Sequence, residues 1–162
     1  MLVFAQFLLY YIEGFCMIVS GVSIFNLPLR LKKINMISIS HAFFTYLVRK
    51  IFYMYHIPFG THSLIIWFAL FIMIKYVLHL SWLQSMVCTL IGIGLLLFGE
   101  GVFLIPIMSF LGVNILTMSQ SIKTILLATF LTDIPMVFVI IISRIIKKPV
   151  INIKELEEAE KW

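Results

Sequence analysis

The sequence predicts an all-α, polytopic integral membrane protein: a bundle of about five transmembrane helices plus one outer interfacial or re-entrant segment, oriented N-out and C-in. Three observations carry that reading. Of the 162 residues, 62% are hydrophobic and only 12% charged, far from the roughly half apolar and one quarter charged of soluble domains. The apolar residues fall in runs long enough for a hydrocarbon core ~30 Å thick, which takes roughly 20 helical residues to cross. Lysine and arginine gather where those runs end. The net charge of +5 therefore reports topology, not a phosphate-tracking face, and nucleic acid is not an expected partner.

The first run, Leu2 to Phe25, is broken only by Gln6 and Glu13 and ends at Asn26-Leu27-Pro28, where proline stops the helix. It lacks the basic start and small-residue cleavage site of a signal peptide and is expected to remain as a span. Arg30, Lys32 and Lys33 follow, and such a cluster in a short loop faces the cytoplasm. The second run has fifteen residues from Ile34 to Val48 before Arg49 and Lys50. Continuing the helix to about Ile57 restores a crossing length and sets Tyr53, Tyr55 and His56 in an aromatic belt. Lys50 can then reach outward while Arg49 turns toward the bundle. The link from His56 to His62 is expected to turn outside the cell.

The third segment, Ser63 to about Leu78, meets Lys75 and His79 at its cytoplasmic end. The fourth, Trp82 to about Ile105, carries Gly92 and Gly99, and Gly94 and Gly101, as two pairs seven residues apart. Seven residues make two turns, so each pair lies on one face and lets another helix approach closely. The stretch Ile107 to Lys123 is too polar to span and too apolar for water, which predicts the interfacial segment. The fifth span, Thr124 to about Ile146, contains Asp133 and Pro135. Residues 1–148 thus form the membrane domain and 149–162 a short charged cytoplasmic tail. Seven inner cations (Arg30, Lys32, Lys33, Lys75, Arg144, Lys147, Lys148) oppose three outer ones (Arg49, Lys50, Lys123), which gives the orientation.

Charge inside an apolar run is costly and marks a polar centre. Glu13, Arg49, Glu100 and Asp133 form the candidate buried polar or ligand-sensing cluster. Arg49 is expected to pair with Glu100, leaving Glu13 and Asp133 to polar neighbours or to protons; a structural ion pair that fixes helix register competes with a ligand, ion or proton site. His56 and His62 are candidate pH-responsive residues of the outer loop, against a plain interfacial role. No metal site is expected, because two histidines without a nearby carboxylate make an incomplete ligand set. Cys16 and Cys88 read as small buried thiols. His79 and Cys88, nine residues apart, would sit more than ~13 Å apart on one helix, so no catalytic pair is expected.

The residues Val48-Arg49-Lys50, Ile57-Pro58-Phe59-Gly60-Thr61-His62-Ser63-Leu64-Ile65 and Gly99-Glu100 before Pro106 resemble, in this order, the multispanning N-terminal sensor region of certain Firmicute sensor histidine kinases. The resemblance runs from Glu13-Gly14 to the closing basic cluster. It implies a non-enzymatic sensory or regulatory module without cofactor, in the plasma membrane, working with a second copy or a cytoplasmic signalling protein. The dimerising phospho-acceptor helix and ATP-binding domain of those kinases have no counterpart up to Trp162, so kinase activity is not implied. The reading from another class is a small transporter subunit using Glu13, Glu100 and Asp133 on a solute or proton path.

Overall fold

A computed structural model describes residues 2–25, 27, 30–55, 61–113 and 122–146. Within these residues the chain is helical apart from short turns: α1 (Leu2–Ile24), α2 (Leu31–Met54), α3 (Thr61–Leu78), α4 (Trp82–Gly99), a π-helical turn (Glu100–Leu104), α5 (Ile105–Phe110) and α6 (Ile122–Ile146). Four stretches are long and apolar enough to cross a bilayer: Val3–Ile24, Thr61–Leu78, Trp82–Phe110 and Ile122–Ile146. α2 matches them in length with 24 residues. It differs because Lys32, Lys33, Arg49 and Lys50 fall within the helix and lower its mean hydropathy.

Backbone hydrogen bonding explains why so apolar a chain takes this form, since without water each N–H and C=O must be satisfied inside its own segment. The ends are closed by local chemistry. Ser81 opens α4 with a capping box, its side chain accepting from the Gln84 N–H at 3.2 Å while the Gln84 side chain accepts from the Ser81 N–H at 3.1 Å. Lys75 donates to the Leu80 carbonyl at 2.7 Å and lies 5.1 Å over the Trp82 ring, tying the end of α3 to the start of α4. His79 turns the chain between them in the left-handed region, φ 58°, the usual way to end a helix.

α1 sits at the centre, packed on α2, α4 and α6, while α2 packs on α3, α3 on α4 and α4 on α6. Close approach explains the glycines. Gly21 packs against the Cys88 backbone, and a Cβ at Gly92 would lie 3.0 Å from the Met17 carbonyl oxygen. As the α1 number rises from 17 to 21 the α4 partner falls from 92 to 88, so these helices run antiparallel. Gly99 packs against the Thr132 backbone of α6 in the same manner. The pair Gly92 and Gly99 thus takes the inward face of this span, whereas Gly94 and Gly101 have nothing within 4 Å. Only one of the two glycine faces is used inside the bundle.

Two apolar clusters fill the interior. One gathers Ile18, Val22 and Phe25 of α1 with Ile34, Ile37, Leu70, Ile74, Cys88 and Met136. The other joins Leu104 and Met108 to Ala128 and Leu131 of α6.

The expected outer interfacial segment is revised at both ends. Ile107 to Phe110 continue the fourth helix rather than lying along the surface, because the π turn keeps the backbone bonded from Gly99 into Ile105, whose N–H donates to the Glu100 carbonyl. Ile122 and Lys123 belong to the first turn of α6. Residues 114–121 of that segment, and the tail 149–162 with Lys147 and Lys148, lie outside the described residues.

Candidate functional site

Helix pairing sets the level of Glu13, Arg49, Glu100 and Asp133. Stepping along the antiparallel α1 and α4 from the Met17–Gly92 contact brings Gly99 opposite Tyr10, and Gly99 in turn touches Thr132. Glu100 and Asp133 therefore fall beside the Tyr10 to Glu13 turn of α1. From α2, the Arg49 guanidinium lies 4.6 Å over the Tyr10 ring, a cation–π contact. The four charged residues are thus supplied by four elements, α1, α2, the π turn and α6, at one height.

This layer lies between the two apolar clusters. Along α6, Ala128 and Leu131 belong to one cluster, Met136 to the other, and Asp133 stands between them. Along the α4 span, Cys88 belongs to the first and Leu104 to the second, with Glu100 between. Charges partly withdrawn from water interact more strongly with one another than charges in bulk solvent.

The sequence expectation pairs Arg49 with Glu100; Glu13, Tyr10 and Glu100 all lie within electrostatic reach of the guanidinium. Glu13 also faces Glu100 and Asp133. Arg49 is exposed. Glu13 and Glu100 are partly buried in the same region, while Asp133 is 6% exposed with its Oδ1 unpartnered by any hydrogen bond among the described residues.

Three further residues of this layer were not singled out from the sequence. His41 is buried against Gly14, where a Cβ would stand 2.5 Å from its Nδ1, so Gly14 is small to admit the imidazole. The Tyr10 carbonyl faces that ring without reaching hydrogen-bond geometry, and both ring nitrogens lack a partner among the described residues, as does the buried Thr45 hydroxyl. A readable signal existed: His41, Thr45 and Arg49 are spaced four apart and so share one helical face.

The π turn begins at Glu100 itself. A π bulge is rare inside an α-helix and is frequent at functional sites, since the widened turn rotates the helix beyond it relative to the helix before it. Gly99, immediately before it, packs on the Thr132 backbone of α6.

The histidine pair divides. His56 lies outside the described residues. His62 stands in the first turn of α3, 6% exposed, with its ring 5.9 Å from Phe52 in an edge-to-face contact. It is thus part of the α2–α3 packing and not of a free loop, because α3 starts at Thr61, two residues earlier than the sequence suggests. Cys88 is 1% exposed against α1, whereas His79 turns the chain before Ser81, which keeps them on separate features. Among the described residues no group of three or more His, Cys, Asp or Glu has the geometry to hold a metal ion.

No family model, curated protein or solved structure matches the chain.

Proposed function

We propose that this chain is a non-enzymatic sensory or regulatory membrane module, with the layer of Glu13, Arg49, Glu100 and Asp133 as its responsive centre. The observation that supports it is that four charged residues, one from each of four elements, meet at one level between two apolar clusters. A change of charge or contact there acts on all four elements together. Packed interiors answer such a change by switching between discrete arrangements. α6 continues from Asp133 through Pro135 to Arg144 and would carry the shift toward the C-terminal tail, a cytoplasmic signalling protein or a second copy. In this reading α2 crosses as a fifth span beside the four more apolar stretches, the N-terminus is outside, and the membrane is the plasma membrane of a bacterium. The basic residues Arg30, Lys32, Lys33, Lys75 and Arg144 at one end of the bundle support that orientation.

The runner-up, a small transporter subunit, draws on the same three acids. One experiment separates them. With the full chain in liposomes, spin labels on Lys75→Cys and Arg144→Cys report the distance between the ends of α3 and α6, and a proton-sensitive dye reports flux. The sensory reading predicts that Glu100→Gln shifts the label distance and that flux equals that of empty liposomes. An unchanged distance with flux that falls on Glu100→Gln supports transport and overturns it.

A further inference from the structure

Away from the polar layer, on the flank of the α1–α2 pair, the Tyr11 hydroxyl donates to Asn35 Oδ1 at 3.1 Å. The two side chains form part of the wall of an outward-opening groove of about 280 Å³, completed by Ile12 and Phe15 of α1 and Leu31 of α2. Tyr11 and Phe15, with ring centroids 6.2 Å apart, make an aromatic side. Leu31 and Asn35 share one face of α2 and make the other. Asn35 is exposed, and its amide N–H groups have no partner among the described residues.

Chemistry changes in a fixed order along this groove. At its α2 end Leu31 stands between Arg30 and Lys32, both exposed and without an ion-pair partner among the described residues. The first turn of α2 holds no acidic residue and Arg30 supplies no side-chain cap, so the positive end of the helix dipole adds to the two cations. Asn35 follows about 6 Å deeper at 1.5 Å per residue. Tyr11, Ile12 and Phe15 lie on the α1 turn that carries Gly14, which packs on His41, deeper still along α2. A phospholipid presents the same order: phosphate at the surface, ester carbonyls beneath it, acyl chains below. Cations at a membrane surface attract anionic headgroups. The volume lies near the lower end of the roughly 300–1,000 Å³ of ligand pockets and suits part of one acyl chain. A second copy fits poorly, because a twofold interface sets a patch against itself and would press Arg30 and Lys32 on their own counterparts.

We propose that the α1–α2 groove binds one anionic phospholipid, its phosphate at Arg30 and Lys32, an ester carbonyl accepting from the Asn35 amide, and an acyl chain along Tyr11, Ile12 and Phe15. The site rests on the part of the proposed function that lays α2 in the bilayer beside α1, and not on a sensory role.

The test is native mass spectrometry of the full chain titrated with phosphatidylglycerol or phosphatidylcholine. One phosphatidylglycerol should bind more tightly than phosphatidylcholine, and Arg30→Gln and Lys32→Gln should each weaken it by about fivefold. Arg144→Gln, which removes an exposed cation of α6 at the same end, should leave it unchanged. Ile12→Trp, which fills the groove from an exposed position, should abolish it. Equal affinity for the two lipids, an equal loss in Arg144→Gln, or full binding in Ile12→Trp overturns the proposal. The placement of α2 is read separately in nanodiscs, by a water-soluble maleimide on Phe43→Cys in a Cys16→Ser, Cys88→Ser chain; Phe43 is exposed midway along α2. Protection of that cysteine together with equal lipid affinities overturns the groove alone, whereas prompt labelling overturns the bilayer placement and the groove with it.

Discussion

Replacing Gly99 by alanine probes the α4–α6 contact that brings Glu100 and Asp133 to one level. The added methyl would overlap the Thr132 carbonyl oxygen and lie 2.9 Å from both the carbonyl carbon and Cα of the same residue. All three atoms are backbone, so none can swing aside and the two helices must part. Overpacking of this kind costs about 1–3 kcal/mol, offset by the ~1 kcal/mol that alanine gains over glycine in a helix. Gly94→Ala gains the same propensity with nothing within 4 Å to meet. Subtracting one variant from the other cancels the propensity and leaves the overpacking, so Gly99→Ala should be less stable than Gly94→Ala by about 1–3 kcal/mol. Reversible unfolding in a mixed detergent series measures that difference. Equal stability of the two variants would mean that α4 and α6 do not approach as described, and the common level of the acids would go with it.

Gly14→Ala should destabilise by pressing on the His41 ring 2.5 Å away, and His41→Ala in the same chain should recover most of the loss, as the same unfolding assay would show. Lys75→Met removes the donor to the Leu80 carbonyl and the contact over Trp82; a loss of about 1 kcal/mol is expected for a charged hydrogen bond at a partly exposed site. Cys88, 1% exposed, should resist maleimide in the folded chain and react fully only after unfolding. Prompt labelling of Cys88 would place it outside the α1–α4 interface.

Composition and length made much of the fold legible in the sequence. Apolar runs and basic ends mark where the helices lie, because bilayer thickness fixes both. Glu13, Arg49, Glu100 and Asp133 were visible because each interrupts an apolar run. Which helix faces which was not legible. The Gly92/Gly99 and Gly94/Gly101 pairs are identical in spacing, yet one packs on α1 and α6 and the other is open; tertiary contact alone distinguishes them. Likewise the Arg49 guanidinium of α2 lies over the Tyr10 ring of α1, a long-range relation that no local pattern encodes. The π turn at Glu100 left no compositional mark, and the extension of the fourth helix to Phe110 depends on it. His41 and Thr45 were legible in principle, as a four-residue stripe ending at Arg49, but a lone histidine in an apolar helix carries little signal by itself.

The central claim is that Arg49 and Glu13 interact across the α1–α2 interface within a shared polar layer, and a double-mutant cycle tests it most directly. Arg49→Gln, Glu13→Gln and the double variant are unfolded under one set of conditions. Neighbouring charges in one network couple by about 0.5–3 kcal/mol, so the double variant should be more stable than the sum of the two single losses predicts. Strict additivity of the two substitutions would contradict the account.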